Sequence, residues 1–230
     1  MGEIIFVVGT DTGVGKTFFA CGLVASLIME GKSAIALKPI ETGFSEPDRS
    51  DAYLLSRASK KDVSEVLLYK FKNPLAPLAA AELENERIDF ERLKGWILER
   101  SKSYEYALVE TAGGLMVPIT EDLTYLDLIA RLGANAVVIA KNRLGVINHT
   151  LLTYQALASK GVQTLGVILN EPDGPDFSSE TNPSVISRFI PALVARFEKM
   201  QEVEKGIEEL LKRRDFIARF WLVMQGLFKR

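Results

Sequence analysis

Five short runs along the chain, residues 4–8, 33–37, 106–109, 136–140 and 164–169, are rich in valine and isoleucine. They are nearly continuous in hydrophobicity and do not alternate with polar residues. Strands covered by helices on both faces have this pattern, so it predicts a parallel sheet. Between them, residues 17–29, 89–101, 123–132 and 148–160 carry helical patterning. Strand alternating with helix implies an α/β fold, doubly wound, with a mostly parallel sheet and helices on both faces. Gly31, Gly133 and Gly161 follow three of these helices, where a C-terminal cap belongs. Residues 39–88 contain Pro39, Pro47, Pro74 and Pro77 and read as loop-rich, wrapping over the functional edge of the sheet. Residues 171–183 also have a loop composition. After Pro191 the pattern reads as helical to the end, with apolar Leu210, Leu211, Ile217 and Trp221. The expected organisation is a domain over 1–190 and a C-terminal helical extension over 191–230, packed on the domain or on a dimer partner.

Composition narrows the class. At 230 residues with 47% hydrophobic and 25% charged, the chain can bury a sizeable core. Its 28 basic and 30 acidic residues nearly balance, which removes the electrostatic reason to expect nucleic-acid binding. A single cysteine, Cys21, excludes an internal disulfide framework and a zinc site built from several thiolates; core packing is its expected role. No run approaches the ~20 apolar residues that span a bilayer, and the short run at 4–8 suits a buried strand and not an export signal. A cytoplasmic protein without membrane partners is expected.

Candidate chemistry enters at Gly9-Thr10-Asp11-Thr12-Gly13-Val14-Gly15-Lys16-Thr17, directly after the first strand and opening the first helix. Glycines let successive backbone N–H groups curl around phosphate oxygens, and the helix presents its positive end to them. In such a P-loop, Gly13, Val14 and Gly15 form the cradle, Lys16 reaches the β/γ-phosphates of ATP, and the Thr17 hydroxyl ligates Mg²⁺. The common pattern has its first glycine at the position of Thr10, whereas here it stands one place earlier, at Gly9. A metal-bound phosphate needs an acidic partner, and the strand at 106–109 delivers Glu110, followed by a flexible turn containing Gly113. Ligands bind at the carboxyl ends of strands in open α/β sheets, so Gly9, Lys38 and Glu110 should converge there.

Three further strings accompany the P-loop: Lys38-Pro39-Ile40-Glu41-Thr42-Gly43, Ser50-Asp51-Ala52 and Gly145-Val146-Ile147-Asn148-His149. With Glu110-Thr111-Ala112-Gly113-Gly114, their order and spacing resemble the dethiobiotin synthetase family from about Ile4 to about Phe189. The resemblance implies an ATP- and Mg²⁺-dependent cyclo-ligase of biotin biosynthesis, a homodimer acting on 7,8-diaminopelargonate and CO₂ or bicarbonate. It implies Mg²⁺ ligation by Thr17, Asp51 and Glu110 and catalysis by Lys16 and Lys38. It also implies contacts of Thr12 and Thr42 with the diamine or its carbamate. Gly145, Val146 and Asn148 would bind the substrate carboxylate across the dimer interface, and Asn170 would recognise adenine. His149, the only histidine, reads as a structural residue at a helix start.

Two positions depart from the family. Thr111 stands where glycine is usual, so its side chain would either crowd the phosphates or be neutral. Residues 192–199 read as the start of the helical tail where the family continues through a strand that helps enclose the base. The tail carries Lys212-Arg213-Arg214 as its densest basic run, with Leu210, Leu211, Phe216, Phe220, Trp221, Met224 and Leu227 as apolar partners. The alternative function is a regulatory ATPase of the partitioning or site-selection type. Such chains carry a signature lysine four residues before the glycine of Gly-Lys-Thr, and here that position is Asp11.

Overall fold

In the computed structural model, which describes residues 2–44, 50–171, 174, 176–197 and 213–228, every expected apolar run is a strand of one sheet. These are β1 (Glu3–Gly9), β2 (Ala34–Thr42), β4 (Tyr106–Gly114), β5 (Asn135–Lys141) and β6 (Thr164–Asn170). Two more strands lie at its edges, β3 (Leu67–Phe71) and β7 (Leu193–Phe197). The order is β3-β2-β4-β1-β5-β6-β7, with every ladder parallel.

The strands are buried on both sides, as their unbroken apolar character requires. In β1, Ile4, Phe6 and Val8 face one core, and Ile5 and Val7 face the other. The first core is closed by α5 (Phe90–Ser101), α6 (Tyr125–Leu132) and α7 (Val146–Ser159), through Leu93, Ile97, Leu128, Ile129 and Leu157. The second is closed by α1 (Lys16–Met29), α2 (Asp51–Ser59) and the C-terminal helix α9 (Arg214–Phe228). The shorter α3 (Val63–Val66), α4 (Pro77–Leu83) and α8 (Asn182–Ile186) complete the α-helices among the described residues, beside one 3-10 turn at Phe177–Glu180.

Two expectations are corrected. Residues 39–88 are not mainly loop: they hold the end of β2, then α2, α3, β3 and α4. Nor is the chain helical from Pro191 onward, because residues 193–197 pair with β6 as the seventh strand. Leu193-Val194-Ala195-Arg196-Phe197 therefore forms an edge strand where a helical tail was expected. Pro47 and residues 198–212, with Leu210, Leu211 and Lys212, lie outside the described residues, as do the side chains of Phe216 and Met224. Among the described residues no helix is long and apolar enough to cross a membrane.

The sheet opens where the site forms. β2 pairs with β4 over Ala34–Leu37 and with β3 from Lys38 onward, so it parts from β4 at Pro39. Proline has no N–H to give to a ladder, which makes this a natural place for two strands to diverge.

Candidate active site

The P-loop crosses from β1 into α1 through two glycines whose geometry a side chain would spoil. A Cβ at Gly9 would lie 2.6 Å from the Asp11 carbonyl oxygen and 2.9 Å from Lys16 Nζ. The displaced glycine of the motif is therefore the one that lets the lysine fold back over the strand end. Gly15 has φ +99°, and a Cβ there would meet Asn170 Nδ2 at 2.4 Å. Lys16 is buried, and its ammonium donates to the Asp11 carbonyl at 3.2 Å. Burial and the neighbouring Lys38 charge hold the Lys16 pKa below the usual lysine range.

Three oxygen-bearing side chains from three different elements converge beside this loop. Thr17 Oγ1, in the first turn of α1, lies 2.9 Å from both Asp51 Oδ1 and Glu110 Oε1. Lys38 Nζ donates to Asp51 Oδ2 at 2.8 Å and to Glu110 Oε1 at 2.5 Å. Lys38 and Glu110 are 3% and 1% exposed, so the pair sits where charge is costly unless compensated. Burial opposes the Lys38 charge, but Glu110 and Asp51 outweigh it and hold the ammonium protonated above the ordinary lysine range. Asp51 is held below the usual carboxylate range: burial works against its charge, and Lys38 with the Thr17 hydroxyl prevails. For Glu110 burial pushes the carboxyl upward.

This donor set fits a divalent cation. Glu110 Oε2 is buried with no hydrogen-bond partner among the described residues, while Oε1 is fully engaged. Two carboxylates and one hydroxyl suit Mg²⁺, which retains waters and phosphate oxygens in its octahedral shell.

A cavity of about 710 Å³ surrounds these groups. It is lined by Thr12, Gly13, Gly15, Lys16, Thr17, Lys38, Thr42, Asp51, Glu110 and Gly113, so most residues singled out in the sequence share one space. The other expected residues are not among the residues lining it. Val14 is a core residue whose carbonyl accepts from Asn170 Nδ2 at 3.1 Å. Asn170 thereby braces the P-loop, and its Oδ1 remains buried without a partner among the described residues. Gly145 and Asn148 are exposed around the start of α7. Val146 points into the core and its N–H donates to Arg143, which leaves that amide engaged within the turn.

The cavity also holds residues that sequence reasoning missed. Phe18, Pro74, Leu75, Ala76, Pro77 and Val117 form apolar walls, and Glu41 lies within the lining. Glu41 sat inside the Lys-Pro-Ile-Glu-Thr-Gly string, but its partner, the start of α2, is set only by folding. Burial pushes the Glu41 carboxyl upward, against the pull of backbone N–H bonds from Ala52 and Asp51. Thr111 is not among the residues lining the cavity: it is fully buried, and its hydroxyl donates to the Gly113 carbonyl at 3.1 Å, fastening the turn. Cys21 is likewise fully buried.

Known proteins resemble this chain in sequence and in fold. A family model described as an AAA domain matches residues 3–209. The ATP-dependent dethiobiotin synthetase BioD of Aquifex aeolicus is 38% identical over 200 residues, covering 87% of this chain and 90% of that protein. The protein of the same name from Anaeromyxobacter sp. is 40% identical over 187 residues, covering 80% and 84%. Among solved structures, the septum site-determining protein MinD of Pyrococcus horikoshii, complexed with Mg-ADP, superposes with a TM-score of 0.63. That alignment covers 100% of this chain and 97% of that one at 16% identity, a likeness of fold alone. The strand–P-loop–helix start, the acidic pair around Lys38 and relatives 38–40% identical that cover 80% or more of the chain lead to one assignment: this chain belongs to the dethiobiotin synthetase family.

Proposed function

We propose that the chain is an ATP- and Mg²⁺-dependent cyclo-ligase that closes the ureido ring of dethiobiotin on 7,8-diaminopelargonate with CO₂. The observation that carries this reading is the buried Lys38 ammonium, held in one cavity with the P-loop Lys16 and the acidic pair. One amine of the substrate captures CO₂ as a carbamate and releases a proton. A carbamate oxygen then attacks the γ-phosphorus and ADP departs. The second amine attacks the carbonyl carbon of the resulting carbamic-phosphoric anhydride, and as the ring closes phosphate leaves and the amine gives up a proton.

Both reactants of the phosphoryl transfer are anionic, so the main task is neutralisation and alignment. Lys16 serves the β/γ-phosphates, and Lys38 lies where a carbamate would meet them. Thr12 and Thr42 line the cavity and supply hydroxyls for the diamine or its carbamate. Thr17, Asp51 and Glu110 hold the cation. Mg²⁺, when bound, supplies charge neutralisation across the phosphates. Asn170 Oδ1, buried and without a partner among the described residues, suits the amino group of adenine. The exposed turn at Gly145, Val146 and Asn148 would serve the carboxylate tail in the other subunit of a homodimer. Exposed Leu144 and Leu152 around that turn support a covering copy. A cytoplasmic location, where ATP is supplied, accompanies this reading.

A second reading, a regulatory ATPase, is favoured by the fold likeness to MinD. Asp11 in place of the signature lysine weighs against it. Phosphate release from Mg²⁺·ATP, measured with and without the diamine and bicarbonate, separates the two. Release that requires both, with dethiobiotin formed in step, is the expected result. Equal release without the diamine would leave the P-loop in place and hand the assignment to the regulatory ATPase.

A further inference from the structure

Glu41 occupies an unusual place for a carboxylate. It lies on β2 three residues after Lys38, is 5% exposed, and sits among the negative charges of Asp51 and Glu110. Both of its oxygens accept backbone hydrogen bonds from the first turn of α2. The Asp51 N–H donates to Oε1 at 2.7 Å, and the Ala52 N–H donates to Oε2 at 2.9 Å. The next two donors of that turn are also taken, Tyr53 N–H by Ser50 Oγ at 3.0 Å and Leu54 N–H by the Ser50 carbonyl at 3.1 Å. Of the amides that a helix leaves open at its N-terminus, those of Asp51, Ala52 and Tyr53 thus have partners, two of them on one side chain fixed to the sheet, and the Leu54 bond to the Ser50 carbonyl is the first of the helix itself.

Asp51 is the first residue of this helix, and its carboxylate is the one that meets Thr17 and Lys38. Its direction follows from the placement of that first turn. Residues 43–50 connect it to β2, and Glu41 bypasses this connection by bonding the backbone of Asp51 directly to the strand that carries Lys38. Negative charge against a helix N-terminus is favourable, which offsets part of the cost of burying a carboxylate near two others. A serine or threonine would satisfy one amide more simply but could not span both.

We propose that Glu41 is a positioning residue for the metal site: it fixes the Asp51 carboxylate by clamping the first two amides of α2 to β2. Its oxygens are committed to backbone donors, so it acts through Asp51 and not on the substrate. The proposal rests on the Mg²⁺·ATP reading given above.

Glu41→Gln tests it with minimal change of shape, because the amide offers one acceptor and turns an N–H₂ toward the other backbone donor. Hydrogen exchange at the Asp51 and Ala52 amides, followed without metal, should speed up. The Mg²⁺ concentration needed to tighten binding of a fluorescent ADP analogue should rise by about 10–100-fold, the usual effect of losing an outer partner of a metal ligand. Binding of the analogue in EDTA should stay within about twofold, since the P-loop is untouched. Glu41→Asp, which keeps two acceptors one methylene shorter, should restore part of the Mg²⁺ affinity. Unchanged Mg²⁺ dependence in Glu41→Gln overturns the proposal alone, as does an equal loss of binding in EDTA. A wild-type protein whose nucleotide binding ignores Mg²⁺ overturns the functional reading first, and this proposal with it.

Discussion

Lys38 and Thr17 differ in what each removal should cost. Lys38 is buried between Asp51 and Glu110, so Lys38→Ala leaves two carboxylates without their ammonium. Breaking a buried pair in this way costs about 3–5 kcal/mol, which Mg²⁺·ATP should largely offset by supplying positive charge at the same place. The expected outcome is a melting temperature lowered without Mg²⁺ and mostly recovered with Mg²⁺·ATP. ATP binding should be nearly retained, with turnover reduced about 10²-fold or more, as when a preorganised donor is lost. Equal loss of binding and turnover would contradict the assigned role. Thr17→Val keeps the shape and removes only the hydroxyl that lies 2.9 Å from both carboxylates. Because even outer partners of metal ligands are worth about tenfold, the Mg²⁺ requirement for nucleotide binding should rise at least that much. A titration showing an unchanged requirement would remove Thr17 from the proposed metal site.

At the scale of elements, α6 shows how a local pattern is fastened. Asp127 Oδ2 accepts from the Thr124 N–H at 3.0 Å and from the Thr124 hydroxyl at 2.8 Å, and Lys160 lies 3.3 Å from Oδ1. The backbone bond to Thr124, with the hydroxyl and Lys160 behind it, holds the Asp127 carboxyl below the usual aspartate range. A depressed folded pKa means that this stabilisation is present above the unfolded value of about 3.9 and is lost as pH falls through the lower folded value. Asp127→Ala should therefore destabilise the protein by about 1 kcal/mol at neutral pH, the usual worth of a cap. In urea titrations the gap between wild type and variant should close as pH drops below about 4. A gap independent of pH would show that the carboxylate charge plays no part. The edge strands lie at this scale too. β3 (Leu-Leu-Tyr-Lys-Phe) and β7 (Leu-Val-Ala-Arg-Phe) each expose a basic residue, Lys70 and Arg196. A charge on an outer strand blunts an open ladder, and it also erases the apolar run that reveals a central strand.

For the whole molecule, the C-terminal helix is a structural part of the second core. Phe220 of α9 is fully buried and lies 4.6 Å from the Phe197 ring of β7 and 5.8 Å from Phe19 of α1, between ring centroids. It packs so closely on α1 that a Cβ at Gly22 would meet its ring at 2.1 Å. This explains why α1 is apolar almost all round: α9 covers the face that the sheet does not. Phe220→Ala should cost about 3–5 kcal/mol, the range for emptying an aromatic site in a packed core. Equilibrium unfolding in urea reads this directly. A loss below about 1 kcal/mol would mean that α9 adds little to the folded domain.

What the sequence by itself determined is what local chemistry dictates. A strand, a glycine loop and a helix follow one another over residues 3–29, and their order alone marks a phosphate cradle. The central strands are legible because burial on both faces leaves an unbroken apolar run. Lys38, Asp51 and Glu110 are legible only as separate signals, since they lie on β2, α2 and β4. Tertiary structure alone decided that β2 parts from β4 at Pro39, that three distant side chains share one cavity, and that Glu41 reaches the start of α2. It also decided that residues 193–197 form a strand, since their ladder with β6 supplies what their mixed composition does not. The physical reason is common to all of these: the free energy comes from contacts between segments far apart in the chain, which no window of sequence contains.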